Sequence, residues 1–293
     1  MFGRIISIDW SGAGSETEGV DLRVVTHDTA TGVSAAVNRQ VGKRTYQSWS
    51  RDACRSWLIE QLRGETPTLV ALDFGFGMPW GADRAVFGVS GWRDMLRAVA
   101  DQYRKQGTAR ATALAVNDEE RFAGHGPYRF DDSRADFRFY ADHDVAYYRL
   151  TELVAPQAIS QWYLGSGGTV GFHTITGLAA IQHLIEWREA GEIDFRVWPH
   201  EVLKPDGSGH VLVESYPAIC RPPDDATAEW WGPCRADDDH QRDAWKVLQY
   251  IVAARKDGTL PRAFEIPELR FGRIKDVGFW EQIQFEGCIF GLR

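Results

Sequence analysis

The chain has 293 residues, 44% of them hydrophobic and 25% charged, which is ordinary for a globular protein and ample for a sizeable core. No linker-like stretch divides it, so a single domain over 1–293 is expected. Acidic residues exceed basic ones by 41 to 33, and the net charge of −8 argues against a protein that coats nucleic acid through a broad basic surface, though not against a site whose acids are neutralised by metal.

Residues 4–9 are a short apolar run that ends in Asp9 and enters the turn Trp10-Ser11-Gly12-Ala13-Gly14, the pattern of a buried strand. Residues 22–29 and 33–41 are β-rich and separated by Thr31-Gly32, which predicts a meander. The spacing of Trp49, Ala53, Trp57 and Leu58 predicts a helix over 46–63, stopped by Gly64. Residues 68–74 are a second buried strand, ending Leu72-Asp73-Phe74. Strands, then a helix, then a strand returning parallel to the first, predict a mixed sheet.

A helix is expected at 91–106. The region 107–172 is polar, aromatic and dense in Arg and Asp, and reads as an insertion outside the sheet after strand 4. Its Gly-rich turn at 165–171 precedes a helix at 174–190. Short strands follow at 195–198 and 209–214, the second ending Glu214-Ser215-Tyr216-Pro217. The last clear helix spans 239–256, and 285–291 reads as a short strand or cover segment. Cys54, Cys220, Cys234 and Cys288 contain no C-x-x-C pair, so neither a zinc ribbon nor a disulfide scaffold is indicated. There is no apolar run long enough for a membrane span and no signal peptide after Met1, so a cytoplasmic location is expected. Trp10, Trp80, Trp162, Trp198, Trp230 and Trp231 lie beside polar residues and suit either cleft rims or core filling.

The chemistry concentrates where strands end. Asp9 and Asp73 each close a buried strand before a glycine-containing turn. In α/β sheets ligands bind outside the carboxyl ends of parallel strands. Neighbouring strands lie about 4.8 Å apart, so two such carboxylates face one point and repel unless a cation sits between them. Carboxylate and water ligation suits Mg²⁺ or Mn²⁺. The final helix places Asp239 and Asp243 on one face, with Asp243 bordering the apolar stripe. Asp237 and Asp238 fit a helix N-terminus by capping. Glu214 closes a further strand and is either a site residue or a hydrogen-bonded structural one. Acids converging in this way make a two-metal phosphoryl-transfer arrangement.

The segments Ile8-Asp9-Trp10-Ser11-Gly12-Ala13, Leu72-Asp73-Phe74-Gly75-Phe76-Gly77-Met78-Pro79, Val213-Glu214-Ser215-Tyr216-Pro217 and Asp243-Ala244 resemble the motifs of domain-of-unknown-function family 429. So do Val197-Trp198-Pro199 and Glu286-Gly287-Cys288-Ile289-Phe290-Gly291. That family comprises predicted nucleases of the ribonuclease H-like superfamily. The resemblance implies an α/β, ribonuclease H-like mixed five-stranded sheet of order 3-2-1-4-5 flanked by helices. It also implies catalytic Asp9, Asp73, Glu214 and Asp243, with Asp9, Asp73, Asp243 and either Asp239 or Glu214 as metal ligands. The first helix lacks an obvious inward Glu of the kind true ribonucleases H carry there, Glu60 being a weak candidate, which places the chain nearer the Holliday-junction resolvases.

Further expectations attach to the substrate. Ser11 and Gly12 of the first turn and Gly167 and Gly168 of the Gly-rich turn are candidate phosphate contacts. Arg134 and Arg138, interleaved with aromatic residues, suit a nucleic-acid strand or a self-paired cover loop. His240, beside the acids, is a candidate proton shuttle. The expected activity is metal-dependent hydrolysis of nucleic-acid phosphodiesters. The alternatives are an actin-like or sugar-kinase-like phosphotransferase reading Asp9-Trp10-Ser11-Gly12 as a phosphate turn, and a non-catalytic binding module of the same fold.

Overall fold

In the computed structural model the first three strands are β1 (Arg4–Asp9), β2 (Arg23–Asp28) and β3 (Val33–Val37), joined as an antiparallel meander. The described residues are 2–122, 124–130, 137–165, 170–224, 226–227, 230–235, 237–266 and 277–292. The run 33–41 does not stay in one strand. After Val37 the chain leaves the sheet and pairs β4 (Arg39–Val41) with β5 (Arg44–Tyr46) in a small hairpin. Its two-residue turn is Gly42-Lys43, with Gly42 at φ +60°, the left-handed geometry such tight turns require. Tyr46 therefore belongs to a strand, and helix α1 (Arg51–Leu62) starts later than its apolar spacing suggests. Ser50 sets the start: its side chain accepts the Ala53 N–H.

Strand β6 (Thr68–Leu72) follows, then α2 (Ala82–Ala85), α3 (Trp92–Gln106) and α4 (Ala109–Asn117). The described part of 107–172 continues with α5 (Arg138–Asp142) and α6 (Leu150–Val154), and none of it joins the main sheet. It is not bare cover, because Tyr128, Tyr140 and Trp162 are buried in the same core as the sheet. Helix α7 (Gly171–Glu189) leads to β7 (Arg196–Val197) and β8 (Val211–Glu214). Helix α8 (Asp239–Lys256) and helix α9 (Val277–Glu286) complete the elements. Beyond α9 the tail runs beside β8, with Ile289 bridged to Glu214. Among the described residues no helix is long and apolar enough to cross a membrane.

The sheet order is β3-β2-β1-β6-β8-β7. Its six strands correct the expectation of five, because the short β7 adds to the far edge, parallel to β8. β1, β6 and β8 run parallel to one another, and side chains alternate between the sheet's faces. Ile6, Ile8, Val70, Leu72 and Leu212 pack with apolar residues of α1, α3 and α7. Ile5, Leu69, Ala71, Val211 and Val213 face Leu248 and Ile251 of α8. Each fully buried aliphatic side chain contributes roughly 1.5–3 kcal/mol, so both faces hold the parallel strands in register.

The turn after β1 is held from two sides. Arg51, fully buried, donates to the carbonyls of Ser11 (3.0 Å), Ala13 (2.6 Å) and Gly14 (2.9 Å) and pairs with Glu16 at 2.8 Å. Gly12 meets the start of α7: a Cβ there would lie 2.4 Å from the Phe172 carbonyl carbon and 2.6 Å from His173 N. Backbone cannot yield as a flexible side chain does. Gly12→Ala is expected to cost at least about 1–3 kcal/mol of stability, read by urea unfolding; a wild-type midpoint would show that α7 does not seat on this turn.

Candidate active site at the strand ends

Register decides which strand-end groups meet. Ile8 pairs with Leu72 and Leu72 with Glu214. The ladder then runs one step further, Asp73 N–H donating to Ile8 O at 3.1 Å and Ser215 N–H to Leu72 O at 2.9 Å. Asp9, Asp73 and Ser215 therefore share the next row, on the face that carries Ala71, Val213 and α8. Glu214 belongs to the row below and to the opposite face.

Asp9 and Asp73 come together as the sequence suggests, and their side chains hydrogen-bond each other. Asp9 is 4% exposed. Burial, with the charge of Asp243, pushes its carboxyl up to about 6, while hydrogen bonds from His240 and Asp73 pull the other way. Asp73 is raised well above the usual carboxylate range, first by burial, then by the charges of Asp9, Asp243 and Glu214. Two carboxyls at hydrogen-bond distance need a proton or a cation between them.

Helix α8 brings the remaining groups. Its N-terminus is pinned by Asp238, whose Oδ1 accepts the Gln241 N–H at 2.9 Å and whose Oδ2 pairs with Arg23 of β2 at 2.8 Å. The capping reading of Asp238 thus holds. The pinning sets His240 Nδ1 2.8 Å from Asp9 Oδ2, a contact that raises the histidine's pKa. Asp243, one turn on, is half-buried and bonded to Lys246. Asp239 is exposed on the first turn and its side chain has no hydrogen bond or ion pair among the described residues, so His240, not Asp239, reaches the pair.

Of the two readings open for Glu214, its contacts match the hydrogen-bonded structural one. Arg149 grips it with two bonds, Nη2 to Oε1 at 2.6 Å and Nη1 to Oε2 at 2.7 Å, and the Phe76 N–H adds a third at 2.9 Å. Arg149 also bonds Glu152 at 2.7 Å, and Gln161 donates to Glu152 at 2.6 Å. All of these side chains are buried. Removing one partner of such a pair typically costs 3–5 kcal/mol, roughly, because a charge is left uncompensated. Glu214 is thereby committed to tying α6 to the sheet, as a positioning residue beside Asp73.

The other expected contacts divide. Ser11 and Gly12 are buried beneath α7, which leaves the phosphate-turn reading without an open loop. Arg138 is exposed on α5. Arg134, Gly167 and Gly168 lie outside the described residues. Glu60 is exposed and paired with Arg63, not turned to the site. Of the tryptophans, Trp10, Trp162 and Trp198 are core residues, and the Trp10 indole N–H donates to Thr176 at 3.0 Å. His173 was not legible in the sequence. It sits at the start of α7, where burial first and then the charges of His240 and Arg51 push it down to about 4. The close approach of Gly12 to the Phe172–His173 backbone sets it beside the turn after β1, and no motif announces that contact.

Among the described residues no three His, Cys, Asp or Glu side chains are grouped as a ready metal cage. In this arrangement His240 contacts Asp9 and Lys246 contacts Asp243. No family model, curated protein or solved structure matches the chain.

A carboxyl whose folded pKa lies above its unfolded value supports stability in acid and loses that support as pH rises through the folded value. Asp9 and Asp73 both behave so. Asp73→Asn removes the Asp73 share. Near pH 8 the variant is expected to be more stable than wild type, the difference closing toward about pH 4, as measured by denaturant unfolding across that range. A variant equally or less stable near the upper limit would mean the carboxyls do not repel.

Proposed function

We propose that the protein is a metal-dependent hydrolase of nucleic-acid phosphodiester bonds, built on a ribonuclease H-like sheet. The observation that carries the reading is the Asp9–Asp73 pair: two carboxyls at the ends of adjacent parallel strands, in hydrogen-bond contact, with Asp243 close enough for its charge to raise both. The strand order β3-β2-β1-β6-β8, with β2 antiparallel to its neighbours, supports the ribonuclease H-like part of it. So does the approach of a late helix, α8, to the end of β1.

The donor set is all carboxylate oxygen, which fits Mg²⁺ or Mn²⁺. Asp9 and Asp73 would hold the ion in place of the shared proton, and Asp243 would join them by leaving Lys246. Bound there, the ion polarises a phosphoryl oxygen and stabilises charge on it. The protein's own residues do the rest. Arg51 and α7 hold the β1 turn so that Asp9 keeps its place. Arg149 neutralises Glu214, so that Asp73 carries less opposing charge. His240 stands exposed enough to exchange protons with solvent while it touches Asp9. The net charge of −8 favours a selective nucleic-acid substrate over bulk duplex.

The test uses single-stranded, duplex, RNA–DNA hybrid and branched nucleic acids with Mn²⁺ or Mg²⁺. Wild type is expected to cleave at least one of them. Asp73→Asn keeps the volume of the side chain but loses the charge that holds the ion, so cleavage should fall by about 100-fold or more while folding survives. No cleavage by wild type, or equal cleavage by both proteins, defeats the reading.

A further inference from the structure

The row that holds Asp9 and Asp73 has a third member. Ser215 lies one strand beyond Asp73, on the same face. It is 4% exposed, and its Oγ has no hydrogen-bond partner among the described residues. A buried hydroxyl is normally satisfied by protein or by ordered water. Ser215 and Asp73 both line a cavity of about 20 Å³ at the sheet's end, together with Gly75, Glu214 and Tyr216. A space of roughly 10–15 Å³ suffices for one water, which needs polar partners to stay.

Most polar groups around that space are spoken for. Arg149, Glu152, Gln161 and Glu214 bond one another. The Gln161 side chain fills the space above Gly75, where a Cβ would lie 2.7 Å from it, and so closes the floor. Asp73 retains acceptor capacity beyond its bond to Asp9, and Ser215 offers one donor and two lone pairs.

We propose that Ser215 is a water-positioning residue: its hydroxyl and the Asp73 carboxylate hold one water in this cavity, and that water is the nucleophile of the hydrolysis. The assignment as nucleophile rests on the phosphodiesterase reading above; the water site itself does not. In the step, the water oxygen forms the new bond to phosphorus. The bond to the leaving oxygen breaks with its electron pair on that oxygen. The proton that the water gives up passes to solvent, and the leaving oxygen takes one from solvent, so the net reaction adds one water across the broken bond. A hydroxyl suits the task because it both donates and accepts, and so turns a lone pair of the water away from the protein.

The test compares the full chain with Ser215→Ala and Ser215→Thr. High-resolution crystal structures should show an ordered water bonded to Ser215 Oγ and Asp73 in wild type, lost in Ser215→Ala. With Mn²⁺ and a cleaved substrate, Ser215→Ala is expected to lower kcat by about 10- to 100-fold, with KM, Mn²⁺ affinity and thermal midpoint unchanged. Ser215→Thr should restore most of kcat. An empty wild-type cavity, an unchanged kcat or a loss confined to KM or Mn²⁺ affinity would overturn the proposal. Diffraction reads the water whether or not anything is cleaved. A wild type that holds it and cleaves nothing ends the hydrolase reading and the nucleophile assignment, and leaves the water site standing.

Discussion

The in-register parallel pairing of β1, β6 and β8 is the constraint on which the rest of the site depends. Side chains on a strand alternate with a period of two, so one step of register sends every group to the other face. Because Ile8, Leu72 and Glu214 lie level, Asp9, Asp73 and Ser215 lie level in the next row. Two carboxyls and a hydroxyl then share the face covered by α8, and Glu214 turns to the other layer. The register is itself held by burial: apolar residues of these strands pack against α1, α3 and α7 on one side and α8 on the other. Slipping any strand by one residue would expose one set and bury charges in the other.

Buried arginines hold the loops that surround this row. Arg51 ties the turn after β1 to α1 through three carbonyls and Glu16, and Tyr103 of α3 donates to the same Glu16 at 2.6 Å. Arg149 ties α6 to Glu214, to Glu152 and to the Glu286 carbonyl at 3.0 Å. In each case a guanidinium without solvent is satisfied on several sides, the condition under which a buried charge is tolerated. The carboxyls of the site are treated in the opposite way. Asp9 and Asp73 have each other and a histidine, and no arginine bonds them among the described residues. Glu214 is held by a permanent charge, whereas Asp9 and Asp73 rely on each other and on a titratable histidine, an arrangement that needs a proton or a cation between the two carboxyls.

Much of this was legible in the residues taken alone. Short apolar runs ending in acid marked β1, β6 and β8, because a buried strand must be apolar and its end is where polarity can return. The helices α3, α7 and α8 followed from their spacing and from caps such as Asp238, since helix termini have local chemical needs that a few residues meet. The meeting of Asp9 and Asp73 was legible too, because two strands of the same pattern in one parallel sheet bring equivalent positions level. The Gly42-Lys43 turn carried a local signal that the long β-rich run of 33–41 obscured.

What the tertiary structure decided is which groups of the same chemical type serve which purpose. Asp239 and His240 are neighbours on one helix, and the packing of α8 on the sheet, with the Arg23–Asp238 pairing between groups far apart in the chain, turns His240 to Asp9. Glu214 reads like Asp9 and Asp73 as a strand-end acid, but register and the distant Arg149 make it a structural anchor. His173 and Ser215 carry no motif, and they reach the site through the contact of Gly12 with α7 and through strand pairing. Periodicity along a chain is a property of neighbours, so the sequence by itself determined the elements and their acidic ends. Register and long-range ion pairs are properties of segments that meet only after folding, and those assigned each acid its partner.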